Sequence, residues 1–223
     1  MKQRNIKISL VINIIIVLLT VFATIIMFTG FRFMHGSEPI LETTKFGVFK
    51  FFTVDSNVFM GIVSLAFIIE ETKLLKGKIK DISKTMYIFK LMSTTAVTIT
   101  FLTVFLYLGP ISDGGIISML QNSNLFFHFI IPVLSIITFI LFEKTDKLEL
   151  KNSLYGIIPT LLYASYYVTN ILIHMENGKV SPIYDWYWFV QNGVWTAFIV
   201  APFMLLIAYI TSLLLWKINK IRR

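Results

Sequence analysis

Apolar residues in this chain come in long blocks, and stripes of alternating polarity are absent. Stretches free of Asp, Glu, Lys and Arg run over Ile8–Phe31 (24 residues), Leu91–Ser112 (22), Gly114–Phe142 (29), Asn152–Met175 (24) and Trp186–Trp216 (31), and Phe51–Ile69 (19) has Asp55 as its one intruder. About 20 apolar residues carry a helix across the hydrocarbon of a bilayer. A membrane β-barrel needs alternation in strands of about ten residues, whereas Ile12–Leu19, Asn13 apart, and Phe198–Tyr209 are apolar on every side. The pattern predicts an all-α polytopic membrane protein. It has one domain over residues 1–223, with six transmembrane helices near 8–30, 51–69, 86–108, 123–142, 153–173 and 191–216. Lys2, Arg4 and Lys7 look like the basic start of a secretory signal. The apolar run behind them is too long and lacks a small-x-small cleavage site, so the first helix is read as retained.

Composition agrees. Apolar residues make up 56% of the chain and charged residues 14%, against about a quarter in soluble domains, and the mean hydropathy is +0.77. A soluble domain, a disordered chain and a disulfide scaffold are excluded. With no cysteine, thiolate chemistry and cysteine-held metal are excluded as well. The net charge of +8 is distributed by loop: segments on alternate sides of the bundle carry fifteen Lys and Arg against four, with Lys90 left out. The positive-inside rule then predicts both termini in the cytoplasm. The 70–84 loop reads as contacting anionic lipid headgroups, with no nucleic-acid partner. Enrichment in Ile, Phe, Lys and Asn points to a bacterial cell membrane. Trp186, Trp188, Tyr184 and Tyr187 read as an interfacial aromatic belt. The turn Gly36-Ser37-Glu38-Pro39 precedes a short interfacial helix expected over 40–50.

Polar residues cluster at the outer ends of the spans. The second opens with Thr53, Asp55, Ser56 and Asn57, the fourth with Gln121, Asn122, Ser123, Asn124 and His128, and the sixth with Gln191, Asn192 and Thr196. The fifth ends in Tyr163, Tyr166, Tyr167, Asn170 and His174. The inner halves look more apolar, so a polar pocket opening toward the outer leaflet is expected. Thr53, Ser56 and Asn57 share one helical face, as do Gln121, Asn124, His128 and Ser135. Residues 54–59, 121–126 and 190–195 echo one another, as three tandem helical hairpins would, though so biased a composition also produces such echoes by chance. Thr53 and Ser56 read equally as backbone-bonded hydroxyls, Asp55 as a helix-start carboxylate, and His128 as a buried structural histidine or a catalytic one. His35 and His174 read as solvated, the threonines of the third span as packing, and Pro132, Pro159 and Pro202 as kinks. Three scattered histidines make no metal set, and no cofactor motif is present.

Phe51-Phe52-Thr53-Val54-Asp55-Ser56-Asn57 and His128-Phe129-Ile130-Ile131-Pro132-Val133-Leu134 resemble a bacterial family of six-helix membrane proteins. That family is similar to the eukaryotic androgen-induced and androgen-dependent TFPI-regulating proteins. Pro159-Thr160-Leu161-Leu162-Tyr163 and Ser181-Pro182-Ile183-Tyr184-Asp185 add to the resemblance, which spans about residues 45–215. The eukaryotic relatives are membrane threonine hydrolases of fatty acid esters of hydroxy fatty acids, and Asp55-Ser56-Asn57 departs from their pattern. The resemblance implies a Thr53 nucleophile, a His128 base and a lipid-like ester substrate. Oxyanion donors would come from Asn57 or Asn124, with Ser56 and Asn170 also near the site. Tyr166, Tyr167 or Asp185 would orient the imidazole. The competing readings are a small transporter or channel, and a non-catalytic lipid- or partner-binding protein. Oligomeric state is not legible in the sequence.

Overall fold

A computed structural model describes residues 3–34 and 43–221. The expected turn at 36–39, the first part of the 40–50 helix and His35 lie outside the described residues. Among those described, six helices are long and apolar enough to cross a membrane: α1 (Gln3–Thr29), α2 (Phe52–Leu75), α3 (Lys84–Ile111), α4 (Ser123–Phe142), α5 (Leu150–Ile173) and α6 (Val194–Lys220). The chain is thus an all-α multi-pass membrane protein, as its hydrophobic blocks require. Outside these spans lie a 3-10 helix at Lys45–Lys50, a one-turn helix at Gly115–Ser118 and a hairpin of two-residue strands, β1 (Met175–Glu176) with β2 (Lys179–Val180). The hairpin turns on Asn177 and Gly178, both with positive φ, the geometry that Asn-Gly favours.

The most buried helix is α3, which packs against α2, α4, α5 and α6, while α1 packs on α2 and α4. Sequence dictates this place. Ser93, Thr94, Thr95, Ala96, Val97, Thr98, Ile99 and Thr100 are all buried and all small or β-branched, and such residues let helix backbones approach closely in a membrane. Gly156 of α5 shows how closely: a Cβ there would lie 2.2 Å from Ser212 Oγ of α6 and 3.0 Å from Thr95 Oγ1 of α3.

Proline shapes the helices from within. Pro132 has no N–H for the carbonyl four residues back, and the turn before it, Phe126–Ile130, widens into a π-helix that carries His128. Pro110 follows a second π-turn at Val104–Leu108. Wide turns of this kind recur at functional sites.

The loops 76–83 and 143–149 meet at one end of the bundle. Lys147 binds Asp81 at 2.8 Å and also reaches the Ile82 carbonyl; Lys84 binds Glu149. The α6 residue Asn219 donates to the carbonyls of Phe139 (2.6 Å) and Glu143 (3.0 Å), and Ser9 of α1 donates to Glu143. This is the basic end, shared by both ends of the described chain. At the opposite, aromatic end two of the four expected belt residues turn inward, while Tyr184 and Trp188 stay partly exposed. Trp186 and Tyr187 are 3% and 6% exposed, because the 181–193 loop folds inward over the bundle and α6 begins only at Val194.

Candidate functional site

The aromatic end holds a cavity of about 60 Å³ whose lining includes Thr53, Asn124, His128, Met119, Leu108 and Tyr187. Thr53 is the second residue of α2, so its hydroxyl sits where the helix macrodipole favours negative charge. His128 projects from the π-turn of α4 and is 6% exposed. Its Nδ1 lies 2.6 Å from the Met119 carbonyl oxygen. A carbonyl only accepts, so Nδ1 carries the hydrogen and Nε2 keeps the lone pair. Met119 reaches back because the chain reverses at Asn122, which adopts positive φ and accepts from the N–H groups of Phe33 (2.9 Å) and Met34 (2.8 Å).

Asn57 is the hinge pin of the arrangement. Fully buried, it donates one hydrogen to the Thr53 carbonyl at 2.7 Å and the other to the Phe127 carbonyl at 3.1 Å. It thereby ties the backbone of the threonine to the residue preceding the histidine. Both donors are spent, so Asn57 is a positioning residue and not an oxyanion donor; Asn124, which lines the cavity, keeps that candidacy.

The other expected site residues are employed elsewhere. Ser56 donates to the Thr53 carbonyl (3.2 Å) and pairs with Thr100 Oγ1 (2.9 Å). Tyr167 donates to Asp185, whose carboxylate also accepts from the N–H groups of Phe189 (2.9 Å) and Val190 (3.1 Å). Asp185 therefore staples the 181–193 loop, and neither residue orients the imidazole. Asn170 donates to the Tyr184 carbonyl at 2.9 Å. Tyr166 is half exposed, packed on the rings of Tyr163 and Trp186. His174 stacks on Tyr184 with ring centres 3.6 Å apart.

Tyr187, expected only as belt, belongs to the site. Its hydroxyl accepts from the Phe52 N–H at 2.9 Å and reaches the Thr53 side chain. Burial pushes the phenol up to about 12, so it remains a hydroxyl throughout the neutral range. Its neighbour Tyr163 donates to the Lys50 carbonyl and accepts from Trp186 Nε1 at 2.9 Å. Lys50 rests over the rings of Phe51 (5.1 Å) and Trp186 (5.4 Å), and partial burial lowers its ammonium from the ordinary value.

Thr53 also lines a second cavity, of about 60 Å³, between α2, α3, α5 and α6. Its walls include Phe52, Ile99, Val104, Ala164, Ala201 and Met204 and are almost wholly apolar. The hydroxyl thus stands at the joint between a chamber holding an imidazole and one lined by hydrocarbon. A larger lateral groove of about 410 Å³ runs beside Asp55, Ser56 and Pro159. Among the described residues no cluster of three or more metal-binding side chains occurs. The chain has no match among known protein families, curated proteins or solved structures.

Proposed function

We propose that this protein hydrolyses lipid-like carboxylic esters in a bacterial cell membrane, with both termini cytoplasmic and the site toward the outer leaflet. Thr53 Oγ1 attacks the ester carbonyl carbon while His128 Nε2 takes its proton. The tetrahedral oxyanion is stabilised by the Asn124 amide and by the dipole of α2, whose own first N–H groups remain bonded to Tyr187 and the Phe51 carbonyl. The imidazolium then protonates the departing alcohol, leaving an acyl-threonine. Water, deprotonated by His128, attacks the acyl carbon, and Thr53 leaves with the proton as the fatty acid is released. The first carbons of one acyl chain occupy the apolar cavity beside Thr53, the rest of the chain staying in the bilayer, and the ester sits at the chamber shared with His128. Membrane lipids supply the surroundings and the substrate; the reaction needs no cofactor.

The observation that carries this reading is the shared chamber of Thr53 and His128, with the imidazole pinned through Nδ1 so that the basic nitrogen remains available. Purified protein in lipid nanodiscs should cleave long-chain esters. Thr53→Ala and His128→Ala should each lose at least about a hundredfold in kcat/KM, the scale of removing a nucleophile or its base, while unfolding as the parent does. Equal turnover by all three proteins would remove the hydrolase.

A second reading, transport of an ion, is favoured by the charged cluster at the basic end, where Lys90, Glu71 and Glu143 are fully buried. Transport should survive Thr53→Ala, so solute flux in liposomes bearing that variant separates the two.

A further inference from the structure

The inner halves of the spans, expected to be apolar, contain a sealed ionic cluster. Glu71 near the end of α2, Lys90 near the start of α3, Glu143 at the end of α4, and Ser9 and Asn13 of α1 are each 0% exposed. Glu71 lies 18 residues beyond Thr53, about 27 Å along α2 at 1.5 Å per residue, and the buried Met60, Val63 and Phe67 intervene. This is a separate site from the threonine chamber.

The bonds are unevenly shared. Glu143 Oε1 takes Lys90 Nζ at 3.1 Å, Asn13 Nδ2 at 2.9 Å and Ser9 Oγ at 3.1 Å. Lys90 also binds Asn13 Oδ1 and Ser64 Oγ (3.3 Å), and lies 5.1 Å from the centre of the Phe67 ring. Glu71 is held more loosely, by Asn13 Nδ2 at 3.4 Å and by the Ser9 hydroxyl that it shares with Glu143. Glu71 Oε1 and Glu143 Oε2 are both buried without a hydrogen-bond partner. Two carboxylates against one ammonium leave a surplus negative charge. An isolated buried charge costs more than a fold's whole stability, so such a group neutralises instead. The other titratable group near the cluster is Tyr87 of α3. On the flanking helices Arg4, Lys7, Lys217 and Lys220 are exposed, and Lys144 beside Glu143 is half-buried, so no other buried cation compensates among the described residues.

We propose that this cluster is a buried proton-binding site in which Glu71 holds a proton at neutral pH beside an ionised Lys90–Glu143 pair. A single hydrogen supplies the missing positive charge and occupies an oxygen that is otherwise unpartnered. Glu143 Oε1 already accepts three donors, so the added hydrogen falls to Glu71. Folding then takes up a proton at Glu71, since the unfolded carboxyl is ionised above about pH 4.3. The sign follows: the native state binds more protons, and stability falls as pH rises, by about tenfold in the unfolding constant per pH unit until the folded carboxyl itself ionises.

Infrared difference spectroscopy of the full protein in nanodiscs at neutral pH should show the carbonyl band of a protonated carboxylic acid that is absent from Glu71→Gln. The variant, with a neutral side chain of the same shape, should fold at least as well as the parent. It should also lose the fall in thermal stability on going to alkaline pH. An unchanged band in Glu71→Gln, or the same pH slope in both proteins, would overturn the proposal. So would parental stability that depends on sodium at constant pH and ionic strength but not in Glu71→Gln, because the missing charge would then be a metal ion.

Discussion

Asn57→Ala tests how the bundle holds its threonine and histidine together. The substitution removes two buried hydrogen bonds, to the carbonyls of Thr53 at 2.7 Å and Phe127 at 3.1 Å. In water-soluble proteins each such bond contributes about 1 kcal/mol net, but side-chain bonds between membrane helices average about 0.6 kcal/mol, because the membrane-inserted unfolded state finds other partners. Two bonds at that lower figure give roughly 1.2 kcal/mol, and the side-chain atoms lost from a fully packed position add a cavity term of about 1 kcal/mol. A destabilisation of about 2 kcal/mol is therefore expected, read by denaturant titration of the protein in mixed micelles. The Thr53 carbonyl still accepts from Ser56 at 3.2 Å, so α2 should keep its first turn. What changes is its placement against α4, and ester turnover should fall by more than the fraction unfolded explains, since a displacement of about 1 Å can cost about a hundredfold. An Asn57→Ala protein with parental stability and parental turnover would refute the clamp.

Further outcomes follow from other parts of the molecule. Gly156→Ala should destabilise by about 1–3 kcal/mol, the usual cost of overpacking, because the new methyl meets Ser212 at 2.2 Å; unfolding midpoints in detergent measure it, and an unchanged midpoint contradicts the close contact of α3, α5 and α6. Asp185→Ala should free the 181–193 loop and cost about 2–4 kcal/mol, since three donors to a buried carboxylate are left unpaired; limited proteolysis should then cut the loop, and resistance equal to the parent's would count against the staple. Lys84 and Lys151 hold the Glu149 carboxyl down to about 2 from its usual 4.5, so its contribution is present above pH 4.5 and fades as pH falls through about 2. Glu149→Gln should flatten the acid profile in thermal melts and lower neutral-pH stability by the same amount that the parent loses on acidification, a small one because the pairs are exposed and screened; an unaltered acid profile would show the pairing to be idle.

The six spans are legible because hydrophobic run length is a local property, and a bilayer selects on it directly. Their ends are less so. The chain's own charges place the end of the second span at residue 69, yet α2 continues to Leu75, because Glu71 finds Asn13 on another helix. No window along the sequence contains that partner. The same holds for Glu143, read as the start of a loop, and for Lys90, left out of the loop count inside the expected third span; both are fully buried. At the aromatic end, helical spacing groups Thr53 with Asn57 and Asn124 with His128; Thr53, Asn124 and His128 line one cavity, while Asn57 is spent on the Thr53 and Phe127 carbonyls. The group that orients His128 is a backbone carbonyl, Met119, supplied by a reversal at Asn122, and a main-chain atom leaves no residue signature. Tyr187 is hidden for a similar reason: its role depends on the 181–193 loop folding inward on Asp185, while its composition reads as an interfacial belt.

The central claim is that the Thr53 hydroxyl is a nucleophile served by His128. Intact-mass and peptide mass spectrometry after exposure to a fluorophosphonate, followed by the same experiment with a slowly turned-over long-chain ester, tests it most directly. The account predicts one covalent adduct, on Thr53, reduced at least about tenfold in rate by His128→Ala as expected for loss of a general base. An adduct on a different residue, or labelling of Thr53 at the same rate without the imidazole, would contradict it.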